Sequence, residues 1–189
     1  GYDSGWLELD GGYWPTWRDE TIEYLGDPSH ADVNVVIWSW CGQMGGKYSG
    51  GTLTNQYLQP MADLEAAYPG VVFVYMTGHV DIWDDADNKS ACEAIRAWCS
   101  VSNRVLYDFN DIEHWDPDGI YYEFVNDDCA VYGQAGGEST GNWATEWQAA
   151  HTEGEDWYEC GAAHTQPLNA NRKAYAAWAL WCALAERIA

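Results

Sequence analysis

The stretch Val33-Asn34-Val35-Val36-Ile37-Trp38-Ser39-Trp40 decides the fold class. It is apolar and β-branched without strict alternation, the pattern of a strand covered on both faces, as in a parallel sheet. Two later runs share the pattern: Val71-Val72-Phe73-Val74-Tyr75-Met76 and Arg104-Val105-Leu106-Tyr107-Asp108-Phe109. Helical periods separate them. Residues 53–68 carry Leu53, Tyr57, Met61, Leu64 and Tyr68 at four- and three-residue spacing, and residues 88–102 carry Ala91, Cys92, Ile95, Trp98 and Cys99. A first helix is expected over 15–25, with Pro15 in its first turn. A last one is expected after Asn169 or Asn171 as cap, with Ala174, Tyr175, Trp178, Trp181, Cys182, Ala185 and Ile188 as its buried stripe.

This order predicts a three-layer α/β domain, a parallel sheet flanked by helices, with a long irregular insertion (116–163) before the last helix. No internal repeat or linker interrupts it, so residues 1–189 are read as one domain. Three strands make a thin sheet, and the first element is a helix. Domains of this type open with a strand carrying their main functional turn. The expectation is therefore a domain incomplete at its N-terminus, or a sheet completed by another chain or by self-assembly.

The chain has 189 residues, with 8 Lys+Arg against 30 Asp+Glu, so 8 − 30 gives a formal charge of −22. Nucleic acid is excluded as a partner, because phosphate binding needs a basic face. The charge also disfavours anionic membrane surfaces, and no apolar run reaches the ~20 residues of a membrane span. With 47% apolar residues, 13 Trp and 13 Tyr, the chain is not intrinsically disordered.

None of the six cysteines forms a CxxC pair, so a zinc ribbon is not expected. An even number suits a secreted, extracellular protein with a few disulfides. Cys129–Cys160 is the expected pair, tying down a Gly-rich stretch, while Cys92, Cys99 and Cys182 also read as buried small hydrophobes. Asn88-Lys89-Ser90 is a glycosylation sequon in a secretory host.

In a doubly wound sheet, ligands bind beyond the carboxyl ends of the strands. Those ends are Cys41-Gly42-Gln43, the run from Thr77 through His79 to Asp81, and Asn110-Asp111-Ile112-Glu113. Gly42 admits a close backbone N–H and Gln43 adds an amide donor, together a candidate oxyanion site; the competing reading is an ordinary strand-to-loop turn. His164, just before the last helix, is a candidate general base, against a merely solvated loop histidine. His79 is a second base candidate, with Asp81 to orient its ring, or else a polar strand-end cap. Asp108, Asp111, Glu113, Asp116 and Asp118 offer oxygen ligands to calcium but do not match an EF-hand loop, and Asp116-Pro117-Asp118-Gly119 reads first as a turn. No cofactor is otherwise expected. Trp38, Trp40, Trp178 and Trp181 read as core. Trp83, Trp115, Trp143, Trp147 and Trp157 fall in loops, where their faces suit stacking on sugar rings.

Five blocks in order carry a resemblance: Val35 to Gln43, Phe73 to His79, Leu106 to Glu113, Asn142-Trp143-Ala144-Thr145-Glu146-Trp147-Gln148, and Ala162-Ala163-His164-Thr165-Gln166-Pro167-Leu168-Asn169. Across nearly the whole chain they resemble a group of secreted bacterial SGNH (GDSL-like) hydrolases. The resemblance implies a flavodoxin-like fold and a serine esterase acting on acyl esters of carbohydrates. It matches His164 to the catalytic histidine and Gly42 with Gln43 to the oxyanion region, Gln standing where the family has Asn. Gly161 stands where the family's Asp precedes the histidine. The nucleophile is unassigned: Ser4, in Tyr2-Asp3-Ser4-Gly5, has no strand before it. The alternative is a non-catalytic extracellular structural or carbohydrate-binding subunit that assembles through an open sheet edge.

Overall fold

The apolar runs form strands, each shorter than its run by one to four residues. The computed structural model describes residues 13–188, so Ser4 lies outside the described residues. A three-stranded parallel sheet has the order β1-β2-β3, with β1 Val35–Trp38, β2 Val72–Met76 and β3 Val105–Tyr107. β1 and β2 run in register from Val35↔Val72 to Trp38↔Tyr75. The helices are α1 Thr16–Gly26, α2 Met44–Ser49, α3 Gln59–Ala67, α4 Asp85–Val101, α5 Phe109–Glu113, α6 Trp143–Ala150 and α7 Pro167–Ile188. A π-turn, Thr54–Leu58, leads into α3. This is an α/β protein. Contacts divide it into two compact units, Gly1–Gly78 with Lys89–Leu106, and His79–Asn88 with Tyr107–Ala189.

The first unit is built on aromatic rings. Trp17 of α1 is fully buried and stacks on Trp38 at 4.3 Å between ring centroids. Trp40, Tyr57, Met61, Phe73, Tyr75 and Ile95 close the same core. Successive strand residues point to opposite faces, so Val36 and Trp38 enter this core while Ile37 remains 37% exposed. β2 is buried at Phe73, Val74 and Tyr75, as expected of a strand flanked by two neighbours; β1, at the edge, is covered less completely than its sequence predicts.

The second unit holds the segment expected to be irregular, and the structure corrects that reading. β4 Ala130–Tyr132 and β5 Ser139–Asn142 form an antiparallel pair with a register shift between Val131 and Tyr132. Asn142 then caps α6: its Oδ1 accepts Thr145 N–H at 3.1 Å, and Glu146 accepts Asn142 N–H at 3.1 Å. The pair is a reciprocal cap whose carboxylate stands one residue later than the usual capping-box spacing. A Cβ at Gly141 would meet Glu146 Oε1 at 2.4 Å, so a larger residue there would displace the exposed Glu146 carboxylate from the cap. The turn at Asp116 forms as read. The buried Asp116 accepts the N–H groups of Asp118 and Ile120, both at 2.9 Å, and Gly119 takes φ +81°.

α7 is the largest correction. It starts at Pro167, so Asn169 and Asn171 lie inside it rather than capping it. Its inward positions include Leu168, Asn169 and Leu184, while Tyr175 is 60%, Trp178 70% and Trp181 41% exposed, and Cys182 is exposed. From Ala174 to Ala185 the expected stripe is the outer face.

Candidate functional site

β1 delivers the chain into residues 39–43, anchored by the buried side chains of Trp40 within it and Met44 just after it. Gly42 and Gln43 are exposed, and Gln43 stands at the start of α2, where its carbonyl accepts Lys47 N–H at 3.0 Å. The candidate oxyanion donors are therefore solvent-facing groups on a loop pinned at both ends.

In the second unit, His164 occupies the bend before α7. Its imidazole is exposed, nothing among the described residues hydrogen-bonds its ring, and its backbone takes φ +61°. That left-handed conformation is uncommon for residues other than glycine, although histidine is among those enriched in it. The residues after it are firmly held. Thr165 Oγ1 receives Asn169 Nδ2 at 2.9 Å and lies 3.6 Å from Cys129 Sγ, and Gln166 Nε2 donates to Asp128 O at 3.4 Å.

Beneath this bend lies a buried polar cluster that the sequence reading assigned differently. Glu113, 1% exposed and expected as a calcium ligand, instead pairs with Lys173. Its other oxygen accepts Val80 N–H at 2.7 Å, and Asn169 Nδ2 lies 3.5 Å from the first. Burial raises the Glu113 pKa above the usual carboxylate range, opposed by the Lys173 charge and by the Val80 N–H. One carboxylate thus ties the 79–80 loop, α5 and the start of α7. Asn169 and Lys173, four apart on one helix face, were its sequence signal.

The other calcium candidates are also engaged locally. Asp108 caps α5 through Asp111 N–H at 3.3 Å, and Asp111 accepts Trp115 Nε1 at 3.3 Å. Among the described residues no group of three His, Cys, Asp or Glu side chains could hold a metal ion.

No family model, curated protein or solved structure matches this chain.

His79 is half-buried with Nδ1 2.6 Å from Val80 O. Asp81 does not orient an imidazole: its Oδ1 accepts Trp83 N–H at 2.9 Å and Asp84 N–H at 3.3 Å, closing its own turn. Cys129 and Cys160 are both free thiols, contrary to the expected disulfide. Cys129 is buried against Thr165, and Cys160 Sγ lies 3.5 Å from Asn171 Nδ2. Burial pushes the Cys129 pKa to about 11, so it is no thiolate nucleophile near neutrality. The Asn88 sequon is closed as well, since Asn88 is buried in α4 and its Nδ2 donates to His79 O at 2.7 Å.

The tryptophans divide. Trp143 and Trp157 are buried core of the second unit, not ligand platforms. Trp83 is 71% exposed and meets Tyr132 edge-on at 6.3 Å. Trp115 is exposed and edge-on to Tyr121. Trp147 stacks on His151 at 3.5 Å, and its Nε1 donates to Asp118 at 3.0 Å.

Proposed function

We propose that the chain is a secreted SGNH-type ester hydrolase domain of flavodoxin-like fold, acting on acyl esters of carbohydrates. The observation that carries this reading is His164, a solvent-facing imidazole on left-handed backbone whose next residue is anchored to a buried network. Backbone strain of this kind concentrates at functional positions. In this reading the resemblance gives His164 the role of general base toward a serine whose position is unassigned, and gives Gly42 N–H and the Gln43 amide the role of oxyanion donors. Trp83, Trp115 and Trp147 supply ring faces for a sugar. The test is hydrolysis of short-chain p-nitrophenyl esters and of acetylated glycans by the intact gene product. His164→Ala should lower kcat by about 10²–10⁴-fold. Absence of hydrolysis by the wild-type protein, or an unchanged rate in the variant, ends the proposal.

One observation favours a second reading. Among the described residues β1 stands at the edge of the sheet, a position suited to strand addition and thus to assembly as a non-catalytic subunit. A strictly monomeric, ester-inactive product would count against both readings.

A further inference from the structure

The carboxyl ends of β1 and β2 are joined through a side chain. Val72 N–H bonds Asn34 O at 2.9 Å, and the register runs unbroken to Trp38↔Tyr75. Parallel ladders repeat every two residues, so Val74 N–H belongs on Val36 O, and Met76 N–H on Trp38 O. At that last rung stands the hydroxyl of Tyr57. It accepts Met76 N–H at 2.9 Å and donates to Trp38 O at 3.0 Å, with Met76 O at 3.1 Å as its alternative acceptor.

Tyr57 has little freedom to be elsewhere. It is fully buried, with its ring 5.5 Å from both Trp38 and Trp40, 6.1 Å from Tyr75 and 6.3 Å from Trp17. It lies in the π-turn, whose wide hydrogen bond runs from Gln59 N–H to Thr54 O. Such turns hold an extra residue and occur often at functional sites. Just past the bridged rung, Ser39 Oγ donates to Trp40 O at 3.0 Å and lies 3.4 Å from Thr77 O.

We infer that Tyr57 is a positioning residue: its hydroxyl bonds the last rung between β1 and β2 from the side, ties their carboxyl ends to the π-turn, and so sets the stance of the Gly42–Gln43 loop. The inference rests on the hydrolase reading for its catalytic meaning, since that loop is the proposed oxyanion site.

The test is Tyr57→Phe in the full-length protein, followed by amide NMR and by ester hydrolysis. Removing one oxygen should move the Gly42 and Gln43 amide resonances while Val36 and Val74, lower in the ladder, keep theirs. It should lower kcat by about a hundredfold, with KM changed by less than about threefold, because loop placement rather than substrate affinity is altered. Unmoved Gly42 and Gln43 resonances overturn the inference. If the wild-type protein hydrolyses no ester, the hydrolase reading falls while the resonances still decide the role of Tyr57. Should the Phe variant fail to fold, 3-fluorotyrosine at position 57 keeps ring and hydroxyl but changes the strength of the hydrogen bonds. It too must move the Gly42 and Gln43 amides, and failure to do so overturns the inference.

Discussion

Replacing Lys173 by Met tests the buried cluster beneath His164. The ammonium pairs with Glu113 and lies 4.3 Å from the Phe109 ring centroid; the two charged side chains are 14% and 1% exposed. Met keeps the length of the side chain and removes the charge. Glu113 then retains only Val80 N–H at 2.7 Å and the longer contact with Asn169 at 3.5 Å. Breaking a buried pair on one side costs about 3–5 kcal/mol, because the remaining charge is uncompensated. At ~2–4 °C per kcal/mol for a chain of this size, the melting temperature should fall by about 6–20 °C.

The pH dependence gives the sign. Burial already raises the Glu113 pKa, and removing the cation that opposes this raises it further. The folded protein then holds its proton at pH values where the unfolded chain, with an ordinary carboxylate near ~4.3, has released it. Stability therefore falls as pH rises through that window and recovers on acidification toward the ordinary value. Urea unfolding at neutral pH and at about pH 5 measures both effects. Adding Glu113→Leu should restore much of the loss by removing the orphaned charge, although Val80 N–H then lacks its acceptor at about 1–3 kcal/mol. A Lys173→Met variant within about 1 kcal/mol of wild type at neutral pH would refute the reasoning, as would a deficit that deepens on acidification.

His164→Gly should raise stability by about 1 kcal/mol through relief of its left-handed backbone while removing the proposed base, read by melting and by ester hydrolysis. A loss of stability would show that the imidazole makes contacts its exposure does not suggest. Trp17→Ala should cost about 3–5 kcal/mol, since it empties a fully buried site stacked on Trp38, whereas Trp178→Gln on the outer face of α7 should stay within about 0.5 kcal/mol; equal effects in urea melts would contradict the burial pattern. Unfolding without reductant should expose six thiols to a colorimetric titrant, and a count of four would restore a disulfide.

The strands and most helix positions were legible because their signals are local. Residues 35–38 and 72–76 form strands within the runs that predict them, and α1 and α4 lie within a few residues of expectation. What failed was long-range. From Ala174 to Ala185 every residue of α7 is Ala, Leu, Tyr, Trp or Cys, so its periodicity offers more than one apolar face. The choice between them is made near its start, where Asn169 and Lys173 meet Thr165 and Glu113 and turn that side inward. Glu113 read as a ligand for the same reason: a carboxylate after a strand announces its charge but not the lysine sixty residues away that neutralises it. Trp143 likewise looked like a loop ring until its cap, Asn142, placed it in a helix packed into a core.

The sequence alone determined that this is an α/β chain with parallel strands, and it singled out His164, Gly42 and Gln43 as candidates, because strand runs and turn chemistry are written in neighbouring residues. Only tertiary structure decided which face of α7 is buried, that Cys129 and Cys160 remain apart, and that the hydroxyl of Tyr57 bonds two strand ends. Each of those depends on which distant group a side chain meets. Burial makes such meetings energetically decisive, and no local pattern encodes them.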